Sequence, residues 1–314
     1  MSDIKKRQHY VWRHYLRPWT DGVNENIWTY FKEQDKIVKP GLMGVAQEKY
    51  FYGLEDFSDE EINFLQTFVD NTSPLVLKCL NSYLLTLFTS TSILKRKLAA
   101  NTNPKVNTAL ISSEIKKIET NAMEDAHCIM EGLGSKIIQC RSLEDLKELS
   151  KDDNLFEAIM FLCVQYFRTK SRRKSALKNF DGEKLQELAE KSWNIIGFVL
   201  ATTVARSISL DKKLKFLFIE NNTTTPFITG DQPIFNILGD KVDEQGEVQE
   251  LELYYPLTPK CAVYLHFKPE QVDLCESKIA DEEYVKFLNE KVFENADYYV
   301  FADNEEILKQ MTGK

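Results

Sequence analysis

Residues 58–69 read SDEEINFLQTFV, and the period of the chain changes there. Ser58 followed three residues on by Glu61 is a capping-box pattern, in which each side chain satisfies a backbone N–H at the start of a helix. Ile62, Leu65, Phe68 and Val69 then recur at helical spacing, so one face is apolar. Upstream the residues are β-prone. Segments 9–19 and 27–31 are rich in Tyr, Trp, Val and Ile, residues 20–24 (Thr-Asp-Gly-Val-Asn) are turn material, and residues 36–38 return as a short third strand.

Downstream the helical period continues. A second helix runs from Pro74 to about Ala99, and a third from Pro104 to Glu131, where Gly132 and Gly134 are expected to stop it. Ser142 with Glu144 and Asp145 opens a short helix. Asp152 and Asp153 open another, LFEAIMFLCVQYF, and Gly182 precedes one that runs to about Ser207. After Leu210 strands return: 215–220 and 226–229 around a turn at 221–224, then 250–255 and 261–267 around Pro256–Lys260. A helix over 281–294 precedes a last strand over 297–302, and residues 239–246 read as a charged, mobile loop. The expected fold is α+β. Residues 1–56 and 210–314 supply strands of a mixed or antiparallel sheet, and residues 57–209 form a large all-helical middle that covers it.

With 43% apolar and 28% charged residues the chain has the makings of an ordinary packed core, which excludes general disorder. The opening MSDIKKRQHY has no apolar stretch behind it, so no secretory signal is expected. Residues 75–94 are the most apolar stretch. Lys78, Asn81, Ser82 and the Thr/Ser run at 89–92 make a buried helix the better reading than a membrane span. Cys79, Cys128, Cys140, Cys163, Cys261 and Cys275 are dispersed, with no C-x-x-C pair. His9, His14, His127 and His266 show no i, i+4 spacing. Reduced thiols, no structural zinc, a cytoplasmic setting and no membrane partner follow as expectations, and no cofactor is indicated.

The net charge of −8 hides two basic islands. Residues 5–17 hold five Lys/Arg with His9 and His14, residues 168–178 hold six Lys/Arg, and neither stretch contains an acid. A local positive field attracts phosphate whatever the total charge, although a solvated face explains such runs equally well. Phosphate-loop, dinucleotide-binding and nucleophile-elbow motifs are absent, and the E-x-K pairs at 114–116 and 276–278 are the matches a Glu- and Lys-rich chain yields by chance.

Four segments place polar residues in apolar or strand-like surroundings: RQHYVWRHYLRPW (7–19), QYFRTKSRR (165–173), FITGDQPIF (227–235) and YYPLTPKCAVYL (254–265). In this order they resemble the bacterial family catalogued as domain of unknown function 4238. That family has a His-Tyr-Val strand leading to a Leu-Arg step, a helix with Gln and then Arg-Thr, a Thr-Ser-Asp-Asn-Pro turn and a Pro-Leu-Ser-Pro turn. The chain departs from the pattern at Gln8, Trp12, Gly230 and Gln232, which puts any role for a histidine pair at 8 and 9 in doubt. The resemblance brings no established activity and points toward nucleic-acid or defence-related chemistry.

The candidate site follows from these residues. His9 and Asp231 would share proton transfer, Gln165 would orient, and Arg168, Arg172 and Arg17 would bind phosphate, giving a nuclease-like enzyme acting on phosphodiesters. Gln165 and Arg168 lie i, i+3 on one helical face. Each residue has a structural alternative: His9 packed and bonded to a carbonyl, Arg168 in an ion pair, Asp231 bonding backbone at an ordinary turn; Asn289 is a weaker candidate. Two rival functions are non-catalytic. In one, Lys5, Arg13, Arg172 and Arg173 with Tyr10, Trp12, Tyr15 and Trp19 bind nucleic acid. In the other, the helical middle docks a protein partner in a defence operon, and an unsatisfied apolar patch on residues 58–99 would mark it.

Overall fold

A computed structural model of the protein describes residues 4–151, 153–178, 180, 182–239, 241, 250–268 and 273–314. Asp152 and most of the charged loop read at 239–246 lie outside the described residues. The N-terminal segment forms β1 (Arg7–His9), α1 (Arg13–Leu16) with a 3-10 turn over Arg17–Trp19, β2 (Trp28–Phe31), β3 (Lys36–Val38) and β4 (Gln47–Lys49). The middle is helical: α2 (Asp59–Thr72), α3 (Leu75–Ala99), α4 (Thr108–Ile138), α5 (Leu143–Leu149), α6 (Asn154–Phe167), α7 (Lys170–Leu177), α8 (Glu183–Lys191) and α9 (Trp193–Leu210). The C-terminal segment forms β5 (Leu214–Asn221), β6 (Thr229–Gly230), β7 (Phe235–Asn236), β8 (Leu253–Thr258), β9 (Cys261–Phe267), β10 (Cys275–Ala280), α10 (Glu282–Asn295), β11 (Tyr299–Ala302) and α11 (Glu305–Thr312).

The fold is α+β, and strands from the two ends of the chain share a sheet. Its order is β3-β2-β11-β6, all antiparallel, with Val300 of β11 between Tyr30 of β2 and Gly230 of β6. A larger mixed sheet, β10-β5-β9-β8-β7, is built from the C-terminal segment alone, with β10 parallel to β5, and β1 pairs with β4 in a separate ribbon. Segments 215–220 and 226–229 therefore do not form a hairpin across the 221–224 turn. The turn moves the chain from one sheet to the other. One apolar core runs through all three segments, from Tyr10 and Trp19 through Leu65 and Phe161 to Tyr255 and Phe301.

Several local signals act as read. Ser58 and Glu61 complete the capping box, Ser142 accepts from the Asp145 N–H, and Asp281 caps α10. Others are overridden. Residues 13–19 are helical after β1, because the side chains of Tyr15, Leu16 and Trp19 are buried on one side of the turns; the aromatics suit a strand in propensity, but packing decides. Helix α4 passes through Gly132 and Gly134 and ends at Ile138. At Gly134 the Phe161 ring of α6 lies so close that a Cβ would stand 2.1 Å from it. That glycine is a crossing point and not a stop. The stretch after Gly182 breaks at the buried Ser192 into α8 and α9. Among the described residues α9 is the one helix long and apolar enough to cross a membrane, and most of it is buried between α6 and its neighbours.

Candidate functional site

The four polar segments singled out in the sequence meet in the fold. Tyr15, fully buried, shares a hydrogen bond with Thr229 (2.7 Å), donates to the Pro256 carbonyl (2.9 Å) and stacks on Tyr255 at 4.9 Å. The Trp19 indole N–H reaches the Phe227 carbonyl at 2.9 Å. Thr169, which caps α7, donates to Gln232, and Gln232 donates to the Ile234 carbonyl. Buried polar groups need such partners, since an unmet donor or acceptor away from water costs about 1–3 kcal/mol.

Arg168 sits at the centre of this meeting point with all three nitrogens engaged. Nε donates to the Tyr52 hydroxyl (2.8 Å), Nη1 to Glu131 of α4 (2.8 Å) and Nη2 to the His9 carbonyl (2.6 Å). Its side chain is 2% exposed. Against the expectation of a phosphate clamp, this guanidinium is engaged in a buried ion pair joining β1, α4 and α6, with three of its N–H groups spent on partners within the chain. Gln8, in the position of the missing first histidine, plays a comparable part, donating to the Thr120 carbonyl (2.8 Å) and accepting from the Tyr52 N–H (2.7 Å).

His9 and Asp231, expected to share proton transfer, each bond backbone groups of their own. The His9 ring bonds backbone at Leu42, and burial followed by the charge of Arg13 pushes its pKa down to about 4. Asp231, nearly fully buried, accepts from the backbone N–H groups of Asp297 (2.9 Å) and Tyr298 (2.8 Å). Burial lifts its carboxyl to about 6 against the pull of those amides. It holds β6 beside β11. Gln165 is buried, and among the described residues neither its Nε2 nor the His9 Nε2 has a hydrogen-bond partner. Arg17 lies exposed on the far side of α1, pairing with Glu25 (3.0 Å) and His14 (2.9 Å). Arg172 stacks on Tyr166 at 4.4 Å. Asn289 ties the Ile228 N–H and the Pro226 carbonyl to α10. Tyr10, Tyr15 and Trp19 are core residues, so they offer no surface for stacking a base.

The second basic island opens onto solvent one helical turn beyond Arg168. An open cleft of about 620 Å³ is lined by Lys170, Arg173, Lys174 and Lys178 of the α7 region, Lys191 of α8, and the Tyr50–Gly53 turn after β4. Three carboxylates, Glu48, Glu55 and Glu190, share the lining. Lys170 pairs with Glu48, Arg173 with Glu190 and Lys191 with Glu61. Lys174 and Lys178 are exposed and, among the described residues, have no ion-pair partner. Tyr50 stands 46% exposed at the rim with a positive φ of 57°, its turn fixed by the Gly53 N–H bonding its carbonyl at 2.9 Å. A non-glycine residue held in the left-handed region costs about 1 kcal/mol or more, and such strain gathers at working sites. Among the described residues no group of three or more His, Cys, Asp or Glu is placed to hold a metal ion.

A family model described as "Protein of unknown function (DUF4238)" matches residues 7–306. The chain belongs to the DUF4238 family. No curated protein and no solved structure matches it. In this DUF4238 protein the resemblance drawn from four short motifs extends over nearly the whole chain, and those motifs coincide with the buried polar junctions of the fold. Apart from Lys170 and Arg173, the cleft is lined by residues outside them. Lys174 and Lys178 had only the charge run as a signal, and Lys191 and Tyr50 had none; the place of Tyr50 opposite α7 depends on the β1–β4 pairing.

Proposed function

We propose that the protein binds single-stranded nucleic acid in the cleft between α7, α8 and the Tyr50–Gly53 turn, without catalysing its cleavage. The carrying observation is the pairing of two exposed cations without an ion-pair partner among the described residues, Lys174 and Lys178, with an exposed aromatic ring, Tyr50, across one open groove in a chain of net charge −8. Cations track a phosphate backbone and an aromatic face takes a base of any sequence, at about 1–3 kcal/mol per stacked base. Binding at such a groove is salt-dependent, because each neutralised phosphate releases counterions. The enzyme reading loses its support in the ion pair of Arg168 and the amide-held Asp231.

Fluorescence anisotropy with a labelled 20-nucleotide strand at low salt tests this. The wild-type chain is expected to bind, with log affinity falling by about 2 per decade of salt if three phosphates are neutralised. Lys174→Glu/Lys178→Glu should weaken binding at least tenfold and flatten that slope, and Tyr50→Ala should weaken it without changing the slope. Absence of binding at 50 mM salt, or an unaltered affinity in the double variant, overturns the proposal.

A further inference from the structure

Strand β5 turns Leu214, Phe216 and Phe218 into the main core and Lys215, Leu217 and Ile219 to the opposite face. On that face Lys215 is 4% exposed, and its ammonium has no hydrogen-bond or ion-pair partner among the described residues. Lysine is almost never buried so deeply unless paired, because an ammonium withdrawn from water without an acceptor carries a desolvation cost. Directly across the ladder stands His266 of β9, 6% exposed, whose Nε2 also lacks a partner among the described residues. Residues paired in this way in an antiparallel ladder share a face, with Cβ atoms about 5 Å apart. Two buried polar groups without partners thus lie side by side.

Three charges act on the His266 ring: Lys268, Glu276 and Lys215, two positive and one negative. Glu252, in the field of Glu250, Lys241 and Lys268, is not among them. Burial and Lys268 hold the ring below the usual histidine range, so near neutral pH it is uncharged and has one N–H to donate. Lys268 pairs with Glu276 of β10 at 2.9 Å. Because β5 lies between β9 and β10, that ion pair crosses the strand that carries Lys215. One positive charge is left without a counter-ion, beside a neutral donor. We infer that Lys215, His266 and Lys268 bind the oxyanion group of a small molecule, a carboxylate or a phosphate, with Lys215 Nζ and His266 Nε2 donating to it. Glu276 holds Lys268 until the anion arrives and then shares it. The donors are too deeply set for the backbone of a nucleic acid, and the group has no residue in common with the α7–α8 cleft.

Thermal unfolding of the full Lys174→Glu/Lys178→Glu chain, whose cleft has lost its unpaired cations, isolates this group. Sodium phosphate and sodium acetate, each at about 20 mM, are compared with sodium chloride at matched ionic strength, so that screening is held constant. At least one of the two anions should raise the midpoint by about 2 °C or more. Phosphate acting alone identifies a phosphoryl ligand, and acetate alone a carboxylate. In the same background Lys215→Met keeps the length of the stem and removes the charge. It should raise the apparent dissociation constant at least about tenfold. Glu276→Gln, at a partly exposed position, releases Lys268 and should lower that constant severalfold. No response to either anion, a response that chloride reproduces, one that survives Lys215→Met, or an unaltered constant in Glu276→Gln overturns the inference.

Discussion

Arg168 and Lys174 belong to one basic run and lie less than two helical turns apart, yet they do opposite work. Arg168 is buried, and every nitrogen of its guanidinium meets a named acceptor on another part of the chain. Lys174 is exposed, faces an open groove and meets no acid among the described residues. The break between them is Thr169, which follows the C-cap of α6, caps α7 and turns the chain outward. A charge run is therefore no unit of function. Its members divide according to which side of a helix boundary they fall on, and a buried cation is committed to its partners where an exposed one is available.

This division is sharpest in stability. Arg168→Ala leaves Glu131 half-buried against a polar pocket without its partner, and should cost about 3–5 kcal/mol in denaturant unfolding, enough to empty the folded state of a marginal protein. Arg168→Lys, which keeps the charge and loses the fork, should recover only part of it; full recovery would show that geometry at this junction is unimportant. Gly134→Ala tests how α4 and α6 bring Glu131 and Arg168 together. Its Cβ would strike the Phe161 ring, and a loss of about 1–3 kcal/mol is expected, reduced in Gly134→Ala/Phe161→Leu.

A smaller effect is expected from pH. His9 titrates near 4 in the fold against 6.5 when unfolded, so the unfolded chain binds more protons between those values. The stability gained by keeping the ring neutral is complete above pH 6.5 and is lost as pH falls through 4. Asp231, raised to about 6 from 3.8, acts in the opposite sense over much of the same window. Comparison of wild type with His9→Gln should isolate the histidine: the stability gap should narrow by about 1 kcal/mol between pH 7 and 4, allowing for the ring's partial exposure. Smallest of all, Lys174→Ala should shift unfolding by no more than about 0.5 kcal/mol. A larger loss would place Lys174 with Arg168, and the contrast between the two would fail.

The sequence made the outline legible wherever a signal was local. Ser58 and Glu61 mark the start of the helices, the 215–220 and 261–267 runs are strands, and 281–294 is a capped helix. Where a neighbour distant in sequence decides, the local signal misleads. Gly134 looks like a stop until Phe161 is placed on it. Tyr15 and Trp19 look like strand residues until they are seen buried against Tyr255 and Phe227. The candidate site was legible only in part for the same reason. His9, Arg168 and Asp231 were singled out correctly as polar groups in apolar surroundings, but their partners (a backbone amide at 297, a carboxylate at 131) lie in segments with no motif. Burial of a polar residue is visible in a sequence; whether the burial serves packing or chemistry is set by what it faces.

The terminal sheet has a consequence for how the chain is made. Strand β2 finds its main partner in β11, with Phe31 beside Tyr299. Roughly 270 residues separate them, and their synthesis takes on the order of tens of seconds. Throughout that interval the β2–β3 hairpin has one unmatched edge bearing Trp28 and Tyr30. The helical middle can gather its apolar faces as it emerges, but β2 and β3 must wait for β11 before their ladder closes. A ladder closed by so distant a strand leaves the newborn β2 edge sticky until β11 arrives, and makes β11 its clasp.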